Sequence, residues 1–196
     1  MSDTLDATRG DDGPATASKS SAGIEQERAA TPDAKGSQFA GGTVTINKPR
    51  AELYSYFRDF SNLATFMENV ERIDVRDKAR SHWVVKAPAG QTVEWDARVT
   101  EEREGEMIAW ISEEGADVAN SGRVEFKDAG ARGTVVTATI LYDPPAGVIG
   151  KLVAKLFQRE PAIQARRDLR RFKQLMETGE IATARMNAAQ VEEYGR

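Results

Sequence analysis

His82 is the one histidine in the chain, and it is the first candidate for acid–base chemistry because imidazole titrates near neutral pH. Residues in the predicted strand around it alternate between two faces, which puts His82 with Lys86 and opposite Trp83. We therefore predict that His82 lies on the solvent side of a sheet and takes no part in catalysis. One histidine and no cysteine exclude a histidine-rich metal site and a cysteine nucleophile, so no metal and no cofactor are predicted.

Glu94 and Asp96 are the second candidate, because a pair of carboxylates can carry out hydrolytic chemistry. They are two residues apart in a predicted strand, so both point to the same side. That side alternates with an apolar one formed by Val93, Trp95 and Ala97, which marks the carboxylates as solvent-facing. No residue is therefore predicted to be catalytic, although an ionisable side chain turned into the protein would favour an enzyme.

Aromatic residues are concentrated on the opposite, inner face of the predicted strands. Trp83, Trp95 and Trp110 lie on three consecutive strands, and Phe126 and Tyr142 follow on the next two. Aromatic side chains at such positions either fill an ordinary core or line a cleft for an apolar ligand. The hydroxyl of Tyr142 is the predicted polar contact to a ligand. The predicted walls of such a cavity are Phe66, Trp83, Trp95, Trp110, Phe126, Tyr142, Leu169 and Phe172.

The elements that position these residues are predicted to be one strand, two short helices, six strands and a long final helix. The strands are expected at residues 43–46, 70–76, 81–87, 92–100, 106–112, 123–127 and 134–142. Asn47 and Ser61 are the expected N-caps of the two short helices. Short turns favour an antiparallel sheet, and its single apolar face needs the final helix as a cover. Because a twisted sheet does not lie flat on a helix, space is expected between the two.

The final helix is predicted from an apolar stripe at helical spacing, and Gly179 is its expected stop. The residues of this stripe are Ala162, Ala165, Leu169, Phe172 and Met176. An earlier stripe over residues 148–157 is separated from it by Glu160 and Pro161, because a proline inside a helix forces a kink or a new start.

The same C-terminal region is rich in basic residues and contains only two acidic ones, Glu160 and Asp168. The basic residues are Lys151, Lys155, Arg159, Arg166, Arg167, Arg170, Arg171 and Lys173. A solvated helix face is the first explanation. The second is a peripheral docking surface for an anionic membrane.

Composition divides the chain into a patterned domain and two polar ends. Residues 1–40 are poor in large apolar side chains and are predicted to be a disordered tail, the folded domain spans residues 41–180, and residues 181–196 form a second tail. The formal net charge of −4 argues against nucleic-acid binding. The sequence contains no apolar run long enough to span a membrane and no secretory signal pattern, so a cytoplasmic location is expected.

Several local motifs between residues 41 and 180 match a known family. They are Asp59-Phe-Ser-Asn-Leu63, Phe66-Met67, Ser81-His-Trp83, Lys86-Ala-Pro-Ala-Gly90, Val93-Glu-Trp-Asp96, Ile108-Ala-Trp110, Tyr142-Asp-Pro-Pro145 and Asp168-Leu-Arg-Arg-Phe-Lys173. With the order of elements, they resemble the START-like (SRPBCC) superfamily, and within it the bacterial polyketide cyclase/dehydrase and lipid-transport group, which includes coenzyme Q-binding START-like proteins. The resemblance implies an α+β helix-grip fold, in which a curved antiparallel sheet of about seven strands wraps around a long C-terminal helix.

What the resemblance implies about function is an internal cavity for a hydrophobic small molecule, such as a lipid, an isoprenoid quinone or a polyketide-like aromatic. Three functions stay open: binding or transfer of such a molecule without catalysis, a cyclase or dehydrase acting on a polyketide-like substrate, and an interaction module whose core is simply filled. The first is preferred, because no inward-facing ionisable residue is predicted. The sequence does not set the oligomeric state.

Overall fold

Seven antiparallel strands form one sheet in the computed structural model, which describes residues 38–87, 90–143 and 161–181. The order across the sheet is β1-β7-β6-β5-β4-β3-β2, so every pair except β1 and β7 joins strands that are consecutive in the chain. The strands are β1 (Gln38–Ile46), β2 (Val70–Val75), β3 (Arg80–Lys86), β4 (Thr92–Arg103), β5 (Met107–Ser112), β6 (Asn120–Asp128) and β7 (Thr134–Tyr142).

Two short helices and one long helix complete the described part of the fold. Helix α1 (Arg50–Arg58) and a 3₁₀ helix (Phe60–Thr65) lie between β1 and β2, and a single 3₁₀ turn (Gly130–Arg132) joins β6 to β7. Helix α2 (Pro161–Thr178) packs mainly against β1. The predicted α+β helix-grip fold is confirmed, including the two short helices after the first strand.

Several boundaries differ from the sequence-based predictions. Strand β1 begins at Gln38, inside the segment predicted as a disordered tail, and β6 begins three residues before its predicted start at Arg123. The prediction of Asn47 as a helix cap is wrong, because Pro49 occupies that position and no side chain caps the helix. Ser61 is not a cap either.

The 3₁₀ helix is capped instead by Asp59, whose carboxylate accepts a hydrogen bond from the Ser61 backbone N–H at 3.2 Å. An acidic side chain in this position satisfies an N–H group that has no partner within the helix. At the other end of the fold, Gly179 terminates α2 as predicted, with a φ of 81° that favours glycine.

An aromatic cluster joins the inner face of the sheet to both α-helices. The rings of Phe66 and Phe172 stack with centroids 4.7 Å apart, and Phe57 meets Phe172 edge-on at 6.0 Å. Phe126 of β6 contacts Phe57 from the sheet side at 5.9 Å. Phe66, Phe126 and Phe172 are each at most 1% exposed. This cluster is therefore a closely packed core that fixes α2 against the sheet.

The positive charge predicted along the C-terminal region is balanced in part within the described residues. Arg167 lies 3.3 Å from Glu68, and Lys173 lies 3.6 Å from Glu177 and donates to the backbone carbonyl of Thr45 at 2.6 Å. No helix in residues 38–87, 90–143 and 161–181 is long and apolar enough to cross a membrane.

The predicted membrane-docking surface and the cytoplasmic location stay predictions. The apolar stripe at residues 148–157 lies outside the described residues. So do residues 1–37 of the predicted N-terminal tail and residues 182–196 of the predicted C-terminal tail.

Candidate functional site

A cavity of about 170 Å³ lies between the inner face of strands β3–β5 and the first half of α2. The 3₁₀ helix and the end of α1 close one side of it. Its lining residues are Ala40, Phe57, Phe60, Leu63, Met67, Asn69, Val70, Ser81, Trp83, Val85, Trp95, Ala97, Arg98, Val99, Trp110, Asn120, Ile140, Gln164, Ala165 and Asp168. The wall is mostly apolar, with a few polar groups, which is the usual composition of a small-molecule site.

Two tryptophans from neighbouring strands form one wall. Trp83 and Trp95 are directly opposite each other in the pairing of β3 with β4, and their rings stack with centroids 6.1 Å apart. The indole N–H of Trp83 donates to the Ser81 hydroxyl at 2.9 Å, so its polar atom is satisfied inside the protein. The pair therefore presents broad apolar ring surface to the cavity.

The indole ring of Trp110 occupies space that is open because the paired residue on the neighbouring strand is a glycine. Gly122 of β6 pairs with Trp110 of β5, and a Cβ atom on Gly122 would lie only 2.2 Å from Cζ2 of the indole. The absence of a side chain at residue 122 therefore allows the ring to lie against the sheet. The shape of the cavity depends on this arrangement, because a side chain at residue 122 would push the indole ring away from the strand.

The structure divides the predicted site residues into two groups. Trp83, Trp95 and Trp110 line the cavity, whereas the other five predicted residues are not among its lining residues. Those five are Phe66, Phe126, Tyr142, Leu169 and Phe172, and all are buried in the main core. The inner face therefore contains both a packed aromatic core and an aromatic cavity wall, and ligand binding at that wall stays a prediction.

Tyr142 is not among the residues that line the cavity, so its predicted contact with a ligand stays a prediction. It is 3% exposed at the end of β7, and burial raises the pKa of its hydroxyl to about 12. Desolvation disfavours the phenolate, which explains the direction of this shift.

Asn120 is one polar group of the wall that sequence analysis missed. Its side-chain N–H donates to the Val118 carbonyl at 2.9 Å, which sets the orientation of the amide. Its Oδ1 is buried and has no hydrogen-bond partner among the described residues. Asn120, Ser121 and Gly122 are too polar or small to extend the hydrophobic alternation that predicted β6, so this residue carried no sequence signal.

Asp168 and Arg98 are the ionisable residues that line the cavity, and Asp168 was also missed by the sequence analysis. It is 9% exposed and accepts hydrogen bonds from the Glu68 backbone N–H at 3.2 Å and from Gln164 Nε2 at 3.0 Å. Burial raises its pKa to about 6, against the opposing effect of these hydrogen bonds and of Arg171. A sequence signal was present: Asp168 lies three residues after Ala165 and four before Phe172, the spacing of the buried stripe.

The predicted solvent-facing groups lie on the other face of the sheet. His82 Nδ1 is 3.0 Å from Asp96 Oδ1, and His82 Nε2 is 3.4 Å from Glu94 Oε2. None of the three lines the cavity, in agreement with the period of the strand. No group of three or more His, Cys, Asp or Glu residues is arranged to hold a metal ion within residues 38–87, 90–143 and 161–181.

Residues 46–170 match the family model described as polyketide cyclase/dehydrase and lipid transport. An uncharacterized 17.2 kDa protein of Streptomyces lincolnensis is 30% identical over 136 residues, which covers 69% of this chain and 87% of that protein.

Two solved structures show how widely the fold is shared. A protein of Deinococcus radiodurans is 40% identical with a TM-score of 0.59, and the match covers 73% of this chain and all of that one. The Zhui aromatase/cyclase of Streptomyces sp. R1128 is 15% identical with a TM-score of 0.57, and the match covers 74% of this chain and 99% of that one. At that identity the second likeness concerns the fold alone. The chain belongs to the polyketide cyclase/dehydrase and lipid transport family.

Proposed function

We propose that this protein binds a small apolar aromatic molecule in the cavity lined by Trp83, Trp95 and Trp110. The observation that carries the proposal is a cavity of about 170 Å³ with a largely apolar wall beside a closely packed core. Unfilled apolar volume is costly, because its lining loses packing contacts. The cavity therefore favours a binding protein over an interaction module with a filled core.

The size of the cavity limits the ligand. Engineered cavities of about 150 Å³ hold a molecule the size of benzene, whereas sites for drug-sized ligands occupy about 300–1,000 Å³. A cavity of about 170 Å³ suits one or two fused rings. A long isoprenoid chain or a multi-ring polyketide would have to extend beyond this space or enlarge it.

Burial of the ligand also sets the scale of the affinity. A two-ring aromatic that loses about 200 Å² of apolar surface to the cavity gains about 5 kcal/mol, at about 25 cal/mol per Å². This corresponds to a Kd of about 0.2 mM before the entropy cost of association and any polar contacts are counted. Binding should therefore be measured with the ligand near its aqueous solubility and with the protein at high concentration.

The test is titration of the full chain with naphthalene, followed by calorimetry and by the fluorescence of the cavity tryptophans. Ala97→Leu adds side-chain volume at a lining position that is 3% exposed, and it should abolish binding. Ala79→Leu makes the same change at an exposed position outside the cavity and should leave binding intact. Failure of the wild type to bind naphthalene, or unchanged binding by Ala97→Leu, would count against the proposal.

A second candidate function is cyclase- or dehydrase-type catalysis, and the observation that favours it is Asp168 in the cavity wall. A buried carboxyl with a pKa of about 6 is suited to accept or donate a proton near neutral pH. The test is incubation with a short linear polyketone and detection of cyclised product. Product formed by the wild type and lost in Asp168→Asn would support this function. No turnover by a protein that binds the polyketone would rule it out for that substrate.

A further inference from the structure

The two carboxylate oxygens of Asp168 have different surroundings. Both hydrogen bonds that the described residues donate to it, from the Glu68 backbone N–H and from Gln164 Nε2, fall on Oδ1. The Glu68 contact joins α2 to the turn before β2, and the Gln164 contact lies within α2, so Oδ1 has a structural role. No described residue donates a hydrogen bond to Oδ2, although the residue lines the cavity and is 9% exposed.

The charges around Asp168 do not replace the missing donor. Arg171 on the same helix lowers its pKa, Glu68 raises it, and Arg167 is engaged with Glu68 at 3.3 Å. The outcome is a pKa raised to about 6 by burial. Asp168 is only 9% exposed, so its carboxylate has little access to bulk water, and a ligand that donates to Oδ2 offsets part of that lost solvation.

Asn120 also places an acceptor without a donor in the cavity wall. Asn120 uses its N–H group on the Val118 carbonyl and leaves Oδ1 without a partner among the described residues. Asp168 is the stronger acceptor, because hydrogen bonds to ionised groups are roughly twice as strong as neutral ones. Two acceptors that lack donors indicate a ligand that brings a donor.

We propose that the cavity selects a small aromatic ligand that carries a hydroxyl group, such as a phenol or a naphthol, and that this hydroxyl donates a hydrogen bond to Oδ2 of Asp168. This inference rests on the proposed binding function and specifies the ligand class. Stacked Trp83 and Trp95 supply the apolar surface, and Asp168 supplies the polar anchor at the α2 side of the same cavity.

The test compares three ligands of nearly equal ring area: naphthalene, 2-naphthol and 2-methoxynaphthalene, which has the oxygen but no donor. At pH 8 the wild type should bind 2-naphthol at least about tenfold more tightly than either of the others, because a hydrogen bond to a charged group contributes at least about a factor of ten. Equal binding of naphthalene and 2-naphthol would overturn the inference and leave the proposed function intact. No binding of any ligand would overturn the proposed function itself.

Asp168→Asn is the matching variant, because the asparagine keeps an acceptor for Glu68 and Gln164 and replaces Oδ2 by an N–H donor. It should lose the preference for 2-naphthol, and at pH 8 it should bind naphthalene at least as tightly as the wild type, because a neutral side chain costs less to desolvate. Asp96→Asn makes the same change on the outer face of the sheet and should retain the wild-type preference. A preference for 2-naphthol that survives in Asp168→Asn would overturn the inference.

A measurement on the wild type alone keeps the test independent of how the variant folds. An apolar ligand desolvates the carboxylate and favours its protonated form, so naphthalene should bind more tightly as the pH falls from about 8 to about 5. A hydroxyl that donates to the carboxylate favours the ionised form, so 2-naphthol should gain less or lose affinity over the same range. Identical pH profiles for the two ligands would refute a contact with Asp168.

Discussion

Asp168→Asn should make the protein more stable near neutral pH, although it removes a charged residue from the middle of a helix. The wild-type carboxyl is buried in the cavity wall, where the charged form is disfavoured. Asparagine has nearly the same shape and keeps the acceptor that receives the Glu68 N–H and Gln164 Nε2. The variant therefore removes the cost of the charge and preserves the contacts.

The size of the expected stability difference follows from the pKa of Asp168. Burial raises the pKa of Asp168 from 3.8 to about 6, and each pKa unit corresponds to about 1.4 kcal/mol. Because the folded-state pKa is the higher one, the contribution of this group to stability is fully present below pH 4 and is lost as the pH rises through about 6. The wild type should lose about 3 kcal/mol from this group across that window, and the variant should not.

The assay is urea unfolding of the wild type and Asp168→Asn at several pH values between about 4 and 8, with the free energy of unfolding extrapolated to water. The difference between the two proteins should be near zero at pH 4 and should reach about 3 kcal/mol in favour of the variant at pH 7. Carboxylates remote from residue 168 titrate equally in both proteins and cancel in the difference. A variant that is less stable at every pH, or a difference that does not change with pH, would refute the reasoning.

Three further substitutions test the cavity and the core. Gly122→Ala should weaken naphthalene binding at least tenfold in calorimetry, because the new Cβ would lie 2.2 Å from the Trp110 ring and displace it. The far-UV circular dichroism spectrum should stay native, and an unchanged affinity would contradict the prediction. Phe172→Ala should lower the free energy of unfolding by about 3–5 kcal/mol in urea, since the side chain is 0% exposed and stacks on Phe66; a loss below about 1 kcal/mol would show that the core closes around the gap. Tyr54→Phe should cost about 1–3 kcal/mol in the same assay, because the Tyr54 hydroxyl donates to the Glu102 carboxylate; equal stability would mean that water replaces the contact.

The faces of the strands could be predicted from the sequence, because the period of two depends only on backbone geometry. His82 with Glu94 and Asp96 on one side, and Trp83 with Trp95 on the other, are confirmed by the structure. The helix-grip fold and the family could be predicted from the order of elements and from local motifs, because both can be read along the sequence without knowledge of tertiary contacts.

Local ends of elements were less predictable. Asp59 and Ser61 are both good capping residues, and a shift of two positions in the helix start decides between them. Strand β6 begins at Asn120, where no apolar alternation marks it, because pairing with β5 and β7 forms the strand there. Tertiary contacts override weak local preferences at both places.

The division of the inner face into core and cavity was decided only by the tertiary structure. Phe126 and Trp110 share the inner-face pattern, but the aromatic cluster around Phe172 fills the space beside Phe126, while Gly122 lets Trp110 lie against the sheet at the cavity. The sequence by itself determined which residues face inward, since alternation and helical spacing are local. The distance between the helix and the sheet depends on packing between elements that are remote in the chain. That distance decides that Asp168 borders an unfilled space.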